Sequence, residues 1–161
     1  MKKILRTPKR RRIECKTDYS SRVELLKSKK PRLALRKTNK YIIAQIVVSE
    51  TAQDKIVFGI TSKDLLAKGW PKENIGSLKS LPAAYLTGFL LGKKAAGKVK
   101  EAILDIGLHR NIKQSRIYAA VKGFVDAGIK VPCNPESLPS TERISASGKM
   151  KDAINKLKAK L

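Results

Sequence analysis

Acidic residues are scarce in this chain. Its 161 residues hold 13 Asp and Glu against 36 Lys and Arg, a formal net charge of +23. That balance excludes an acidic regulator, and a compact domain bearing it repels itself unless a polyanion neutralises the charge. Cysteine is nearly absent too. Cys15 and Cys133 form no CxxC pair, so neither a disulfide framework nor a structural zinc is expected, and a reducing compartment fits. A single histidine, His109, excludes a His pair. No apolar run approaches the length of a membrane span. The charged opening Met1–Arg6 is not followed by the apolar stretch of a secretory signal.

What is present is a core and a great deal of positive charge. An apolar fraction of 42% suffices for a packed domain and excludes a wholly disordered basic tail. The first 40 residues hold 16 basic and 3 acidic side chains, +13 of the total. Nucleic acid is the polyanion that fits, because Lys and Arg displace the counterions condensed on its phosphates. A membrane surface would call for a basic amphipathic helix with bulky apolar anchors, which the N-terminal segment lacks.

Three parts are expected. Residues 1–30 are a basic arm followed by a short helix. Up to residue 17 there is no apolar period and Pro8 interrupts, so an extended arm that orders on binding is expected. Asp18 then caps a helix from Tyr19 to about Ser28, with Val23, Leu25 and Leu26 turned inward and Arg22 and Lys27 outward. Residues 31–135 form an α/β domain. Leu33 and Leu35 alternate with Arg32, Ala34 and Arg36 in a first strand. A tight turn at Thr38-Asn39-Lys40, helped by the tolerance of Asn for positive φ, leads to a β-branched strand over 41–48. A polar loop over 49–54 and a third strand over 55–61 complete an antiparallel meander. Ser80 and Pro82 open a largely buried helix running to about Lys98, whose Gly88 and Gly92 permit close approach to a sheet. A short strand over 102–107, a helix capped by Ser115 and ending near Ala127, and a last strand at 129–131 follow. Residues 136–161 are a loop and a basic amphipathic helix. Its apolar stripe Met150, Ile154, Leu157 and Leu161 is narrow, so loose docking in the free protein is expected. The order β-β-β-α-β-α gives a mixed sheet covered by helices, the order of the ribonuclease-H-like architecture.

Catalytic motifs fail on inspection. Gly92–Val99 matches GxxxxGK, but Val99 stands where a magnesium-binding hydroxyl belongs, and the motif closes a helix instead of opening one. A nuclease on this fold would need several carboxylates around two metals. Asp105 sits on a strand, yet the first strand carries no acid, and Asp64 and Asp126 have no reason to meet it. His109 lies in a loop and reads as a surface or RNA-contacting residue. The alternative of a nucleic-acid-processing enzyme would need three acids meeting around a metal. For RNA the supply is better. Lys3, Arg6, Lys9, Arg10, Arg11, Arg12 and Lys16 suit phosphates, as do Arg22, Arg32, Arg36 and Lys40. Asn39 can read a base or ribose edge, and Tyr19 and Tyr41 can stack on unpaired bases. No recognition helix or zinc finger points to duplex DNA.

Several segments together resemble one family. Arg11-Arg12, Thr17-Asp18-Tyr19, Pro31-Arg32-Leu33, Thr38-Asn39-Lys40 and Ala44-Gln45 follow the order of the front half of the L-eighteen family of large-subunit ribosomal proteins. Leu81–Gly88, Ala102–Leu108 and Asp126-Ala127-Gly128 look like its archaeal branch, related to the eukaryotic L-five proteins. The resemblance covers about residues 6–135. It implies a ribonuclease-H-like fold and a cytoplasmic, non-enzymatic protein of the large subunit, with no cofactor. It also implies binding of 5S rRNA in the central protuberance, beside 23S rRNA and the ribosomal L-five protein of bacterial naming. The arm and first hairpin would contact RNA.

Overall fold

The computed structural model describes residues 7–51, 53–145, 154–155 and 157–158. Among them run helices α1 (Arg10–Ile13) and α2 (Tyr19–Lys27), then strands β1 (Arg32–Lys37), β2 (Ile42–Glu50) and β3 (Gln53–Thr61). Helices α3 (Asp64–Ala67) and α4 (Leu81–Ala95) precede β4 (Ile103–Asp105), and α5 (Arg116–Asp126) and α6 (Thr141–Ile144) follow it. The strands form one mixed sheet in the order β3-β2-β1-β4. β1 pairs antiparallel with β2, β2 antiparallel with β3, and β1 parallel with β4. The fold is therefore α/β. Of the expected last strand only a single parallel bridge forms, between Glu101 and Lys130.

The meander follows from alternation. Leu33 and Leu35 enter the core with Ile42, Ala44 and Ile46, while Arg32 and Arg36, at the alternate positions of β1, take the other face. The loop expected over 49–54 is mostly strand, since β2 runs to Glu50 and β3 begins at Gln53. Pairing between Ser49 and Asp54 extends the ladder through these polar residues. An irregularity follows Ile46, where Phe58 and Ile56 become successive partners of Ile46 and Val47, leaving Val57 as an extra residue. The β1–β2 turn closes through Thr38, whose N–H donates to the Tyr41 carbonyl at 2.8 Å. Asn39 is not among the residues of positive φ, so the expected use of Asn does not occur.

Helix α4 starts as its sequence dictates. The Ser80 side chain accepts from the Ala83 N–H, and Pro82 occupies the first turn. Its glycines face α5, however, and not a sheet. A Cβ at Gly88 would lie 1.9 Å from the Ala120 carbonyl oxygen, and one at Gly123 2.0 Å from that of Tyr85. The two backbones touch because both helices present glycine at the crossing. At the start of α5, Ser115 occupies the cap position without capping. Its buried Oγ has no hydrogen-bond partner among the described residues.

Two terminal expectations change. The arm is not wholly extended, because Arg10–Ile13 form one helical turn. Helix α2 is capped as expected, with Asp18 accepting from the N–H groups of Ser20 and Ser21, but Val23 is 48% exposed and Arg22 turns toward the body. At the other end Ile154 and Leu157 join the core, with Leu157 2% exposed. Lys158 Nζ lies 4.6 Å from the centre of the Tyr85 ring. Ile154 and Leu157 are thus packed on the body, against the expectation of loose attachment; Met150 and Leu161 lie outside the described residues.

Candidate nucleic-acid interface

The face of β1 opposite the core carries the most developed polar arrangement among the described residues. Arg32 sits at its centre with its side chain only 5% exposed. One guanidinium nitrogen donates to Asp105 Oδ2 at 2.9 Å, and another to Asp54 Oδ1 at 2.6 Å and Ser49 Oγ at 2.9 Å. Arg22, from α2, reaches Asp54 Oδ2 at 2.8 Å. Arg36 donates to Asp105 Oδ1 at 2.8 Å and to the carbonyls of Asp105 and Leu35 at 2.7 and 2.9 Å. Three arginines and two aspartates thus form one connected network joining α2, β1, β3 and β4. Burial pushes the Asp54 carboxyl upward, but hydrogen bonds from Arg22, Ser49 and Arg32 outweigh it and hold it well below the usual carboxylate range.

The consequence for the expected contacts is uneven. Arg32 is withdrawn from solvent and bonded to Asp105, Asp54 and Ser49, so it organises the face from within. Arg22 likewise pairs inward instead of facing out. Arg36 keeps 40% of its side chain exposed while three acceptors fix it, which leaves a guanidinium oriented in advance on an open surface. Gly107 makes room for it: at φ +59 it lacks a Cβ that would sit 2.9 Å from the Arg36 Cζ. Next to it the His109 Nε2 accepts from the Lys37 N–H at 3.0 Å. Burial, then the nearby Arg36 and Lys37 charges, lower the His109 pKa.

A cleft of about 1040 Å³ separates this face from α2 and the residues before it, with Arg11, Lys16, Arg22, Arg36 and His109 in its lining. Its floor is apolar, built by Ala34, Val47, Ile56 and Leu104. Arg10, Arg11, Arg12 and Lys16 are exposed, although Lys16 pairs with Glu14 at 2.9 Å. Arg11 Nε donates to Thr17 Oγ1 at 2.8 Å, and Lys9 Nζ lies 4.4 Å from the centre of the Tyr19 ring. Tyr19 is thereby half-covered. Asn39 and Lys40 are exposed at the hairpin tip, whereas Tyr41 packs partly against the core. Lys3 and Arg6 lie outside the described residues.

The organising acids, Asp54 and Asp105, were not expected to meet. Asp54 reads as a loop residue until the hairpin pairing places it beside Ser49. The available signal was the pair of arginines two turns of alternation apart on one strand, a buried charge pattern that needs counter-ions. The carboxylates converge on arginines and are neutralised by them. Among the described residues no group of three or more His, Cys, Asp and Glu is placed to hold a metal ion, and no helix is long and apolar enough to cross a membrane.

Comparison with known proteins finds matches over most of the chain. The family described as ribosomal large subunit proteins 60S L5, and 50S L18 matches residues 3–102 and 96–134. The chain is 52% identical over 137 residues to the large ribosomal subunit protein uL18 of Korarchaeum cryptofilum, covering 84% of this chain and 68% of that protein. It is 44% identical over 141 residues to the uL18 of Aeropyrum pernix, covering 86% and 64%. To the uL18 of Methanothrix thermoacetophila it is 46% identical over 140 residues, covering 86% and 80%. The class is thus that of structural, non-enzymatic proteins of the cytoplasmic ribosome. Within it, the chain belongs to the family of large-subunit ribosomal proteins 60S L5 and 50S L18.

Proposed function

We propose that this chain binds 5S rRNA and anchors it to 23S rRNA in the central protuberance, next to the ribosomal L-five protein of bacterial naming. The observation that carries this reading is the likeness to archaeal uL18 proteins at 44–52% identity over at least 84% of the chain. The net charge of +23 supports it. The chain spans about two thirds of the length of two of the three relatives compared, so the reading concerns this portion of such a protein. The sheet order β3-β2-β1-β4 with a parallel β1–β4 pair supports a ribonuclease-H-like assignment.

In this reading residues 1–30 grip RNA, 31–135 form the binding body and 136–161 a basic end. Lys3, Arg6 and Lys9 to Arg12 take phosphates, with Lys16 beside them. Arg36, Asn39 and Lys40 face the RNA from the body, with Tyr19 and Tyr41 offering the exposed parts of their rings. Arg22 and Arg32 support that surface from within. The test measures affinity for a 5S rRNA transcript against an unrelated RNA of equal length across salt concentrations. The full chain prefers 5S rRNA. Removal of residues 1–12 weakens binding and flattens the dependence of log affinity on log salt by about 0.7–0.9 per lost phosphate contact. Equal affinity for both RNAs, or an unchanged slope, would refute it.

A further inference from the structure

A carboxylate on a face that meets a polyanion works against binding, and Asp54 is such a carboxylate. Its two oxygens are both used. Oδ2 receives Arg22 at 2.8 Å, and Oδ1 receives Arg32 and the Ser49 hydroxyl, each at 2.6 Å. Arg22 belongs to α2 and Arg32 to β1, so Asp54 bridges the helix to the sheet. The helix has need of such a bridge. None of its residues is fully buried, and Val23 is 48% exposed, so apolar burial holds it weakly. The basic arm is tied in turn to α2 by Lys9 over the Tyr19 ring, and Arg11 bonds Thr17 just ahead of the helix. A continuous chain of contacts therefore runs from the arm through α2 and Asp54 to Arg32, and from there to Asp105 on β4.

We propose that Asp54 is a positioning residue for RNA binding: by clamping Arg22 to the Arg32 network it holds α2 and the basic arm over the sheet in the orientation that meets RNA. The proposal rests on the RNA-binding reading above, but its mechanical half stands apart from it. Fixing the arm in advance lowers the ordering entropy that binding must otherwise overcome.

Charge and clamp predict opposite signs, which makes the test sharp. Asp54→Asn removes a negative charge, so a purely electrostatic interface binds RNA more tightly. A lost clamp lowers affinity for the 5S rRNA transcript by about tenfold, with the salt slope nearly unchanged because the phosphate contacts are the same in number. Asp54→Glu keeps both the charge and the acceptors and recovers most of the affinity. Amide exchange on the free full chain reads the clamp directly. Residues 19–27 lose protection in Asp54→Asn, while α4 and α5 keep theirs. Should Asp54→Asn fail to fold, Arg22→Gln leaves both Arg32 ion pairs intact, and loss of protection over 19–27 in that variant supports the clamp. Retained protection there, or unchanged or higher RNA affinity in folded Asp54→Asn, overturns the proposal. A wild-type chain without affinity for the transcript refutes the binding reading, and exchange over 19–27 then decides the clamp by itself.

Discussion

Arg32 and Asp105 show how a buried charge becomes structural. Each is almost wholly removed from water, with side chains 5% and 8% exposed, and the desolvation cost is tolerable only because each has an oppositely charged partner. Taking away one partner leaves the other uncompensated. Asp105→Ala should therefore destabilise the domain by about 3 kcal/mol, as measured by denaturant unfolding, and should leave Arg36 held by the two backbone carbonyls alone. His109 gives a second prediction at this scale. Its folded pKa is lowered from 6.5 by burial and by the neighbouring Arg36 and Lys37 charges. Its contribution to stability is fully present above pH 6.5. As pH falls the unfolded chain takes up the proton first, so that contribution is lost down to the folded pKa. His109→Gln should flatten the loss of stability that sets in as pH falls below about 6.5, and melting temperatures taken down an acid series check it.

The pair α4 and α5 is decided by what glycine permits. The hydrophobicity of α4 is readable in Leu81–Ala95, and its cap in Ser80 and Pro82. Its partner is not, because a four-residue glycine spacing suits a helix and a sheet equally well. Gly88 and Gly123 settle it by meeting the backbones of Ala120 and Tyr85. Gly88→Ala should cost about 3 kcal/mol, since the new methyl meets a carbonyl and not a flexible side chain. Thermal unfolding would show it, and a near-neutral result would mean the helices separate freely. Helix α2 illustrates the reverse case. Asp18 predicts its start and the structure keeps it, but the inward face expected for Val23 is exposed. Nine residues with a weak apolar stripe leave the rotation of the helix to its ion pair.

The molecule carries a net charge of +23 around an apolar core that takes in Ile154 and Leu157. Ile154 and Leu157 belong to the same buried cluster as residues of α4 and β1. Leu157→Ala should destabilise the free protein by roughly 3 kcal/mol. Amide exchange at Leu157 in the isolated chain should be slow; fast exchange there, with the core protected, would restore the picture of a loosely attached end.

Much of this protein is determined along the chain. Apolar pattern marks the three meander strands, β4, α4 and α5, and the Asp18 cap marks the start of α2, because both are local properties that need no partner to be seen. The charge imbalance and the order of short motifs identify its family for the same reason. The tertiary structure alone decided which arginines remain available. Arg10, Arg11, Arg22, Arg32 and Arg36 read alike in a list of cations, and only folding brings Asp54 and Asp105 to Arg32, 22 and 73 positions away. A salt bridge is a meeting of distant segments, and the desolvation that makes it matter does not exist until the chain has closed over it.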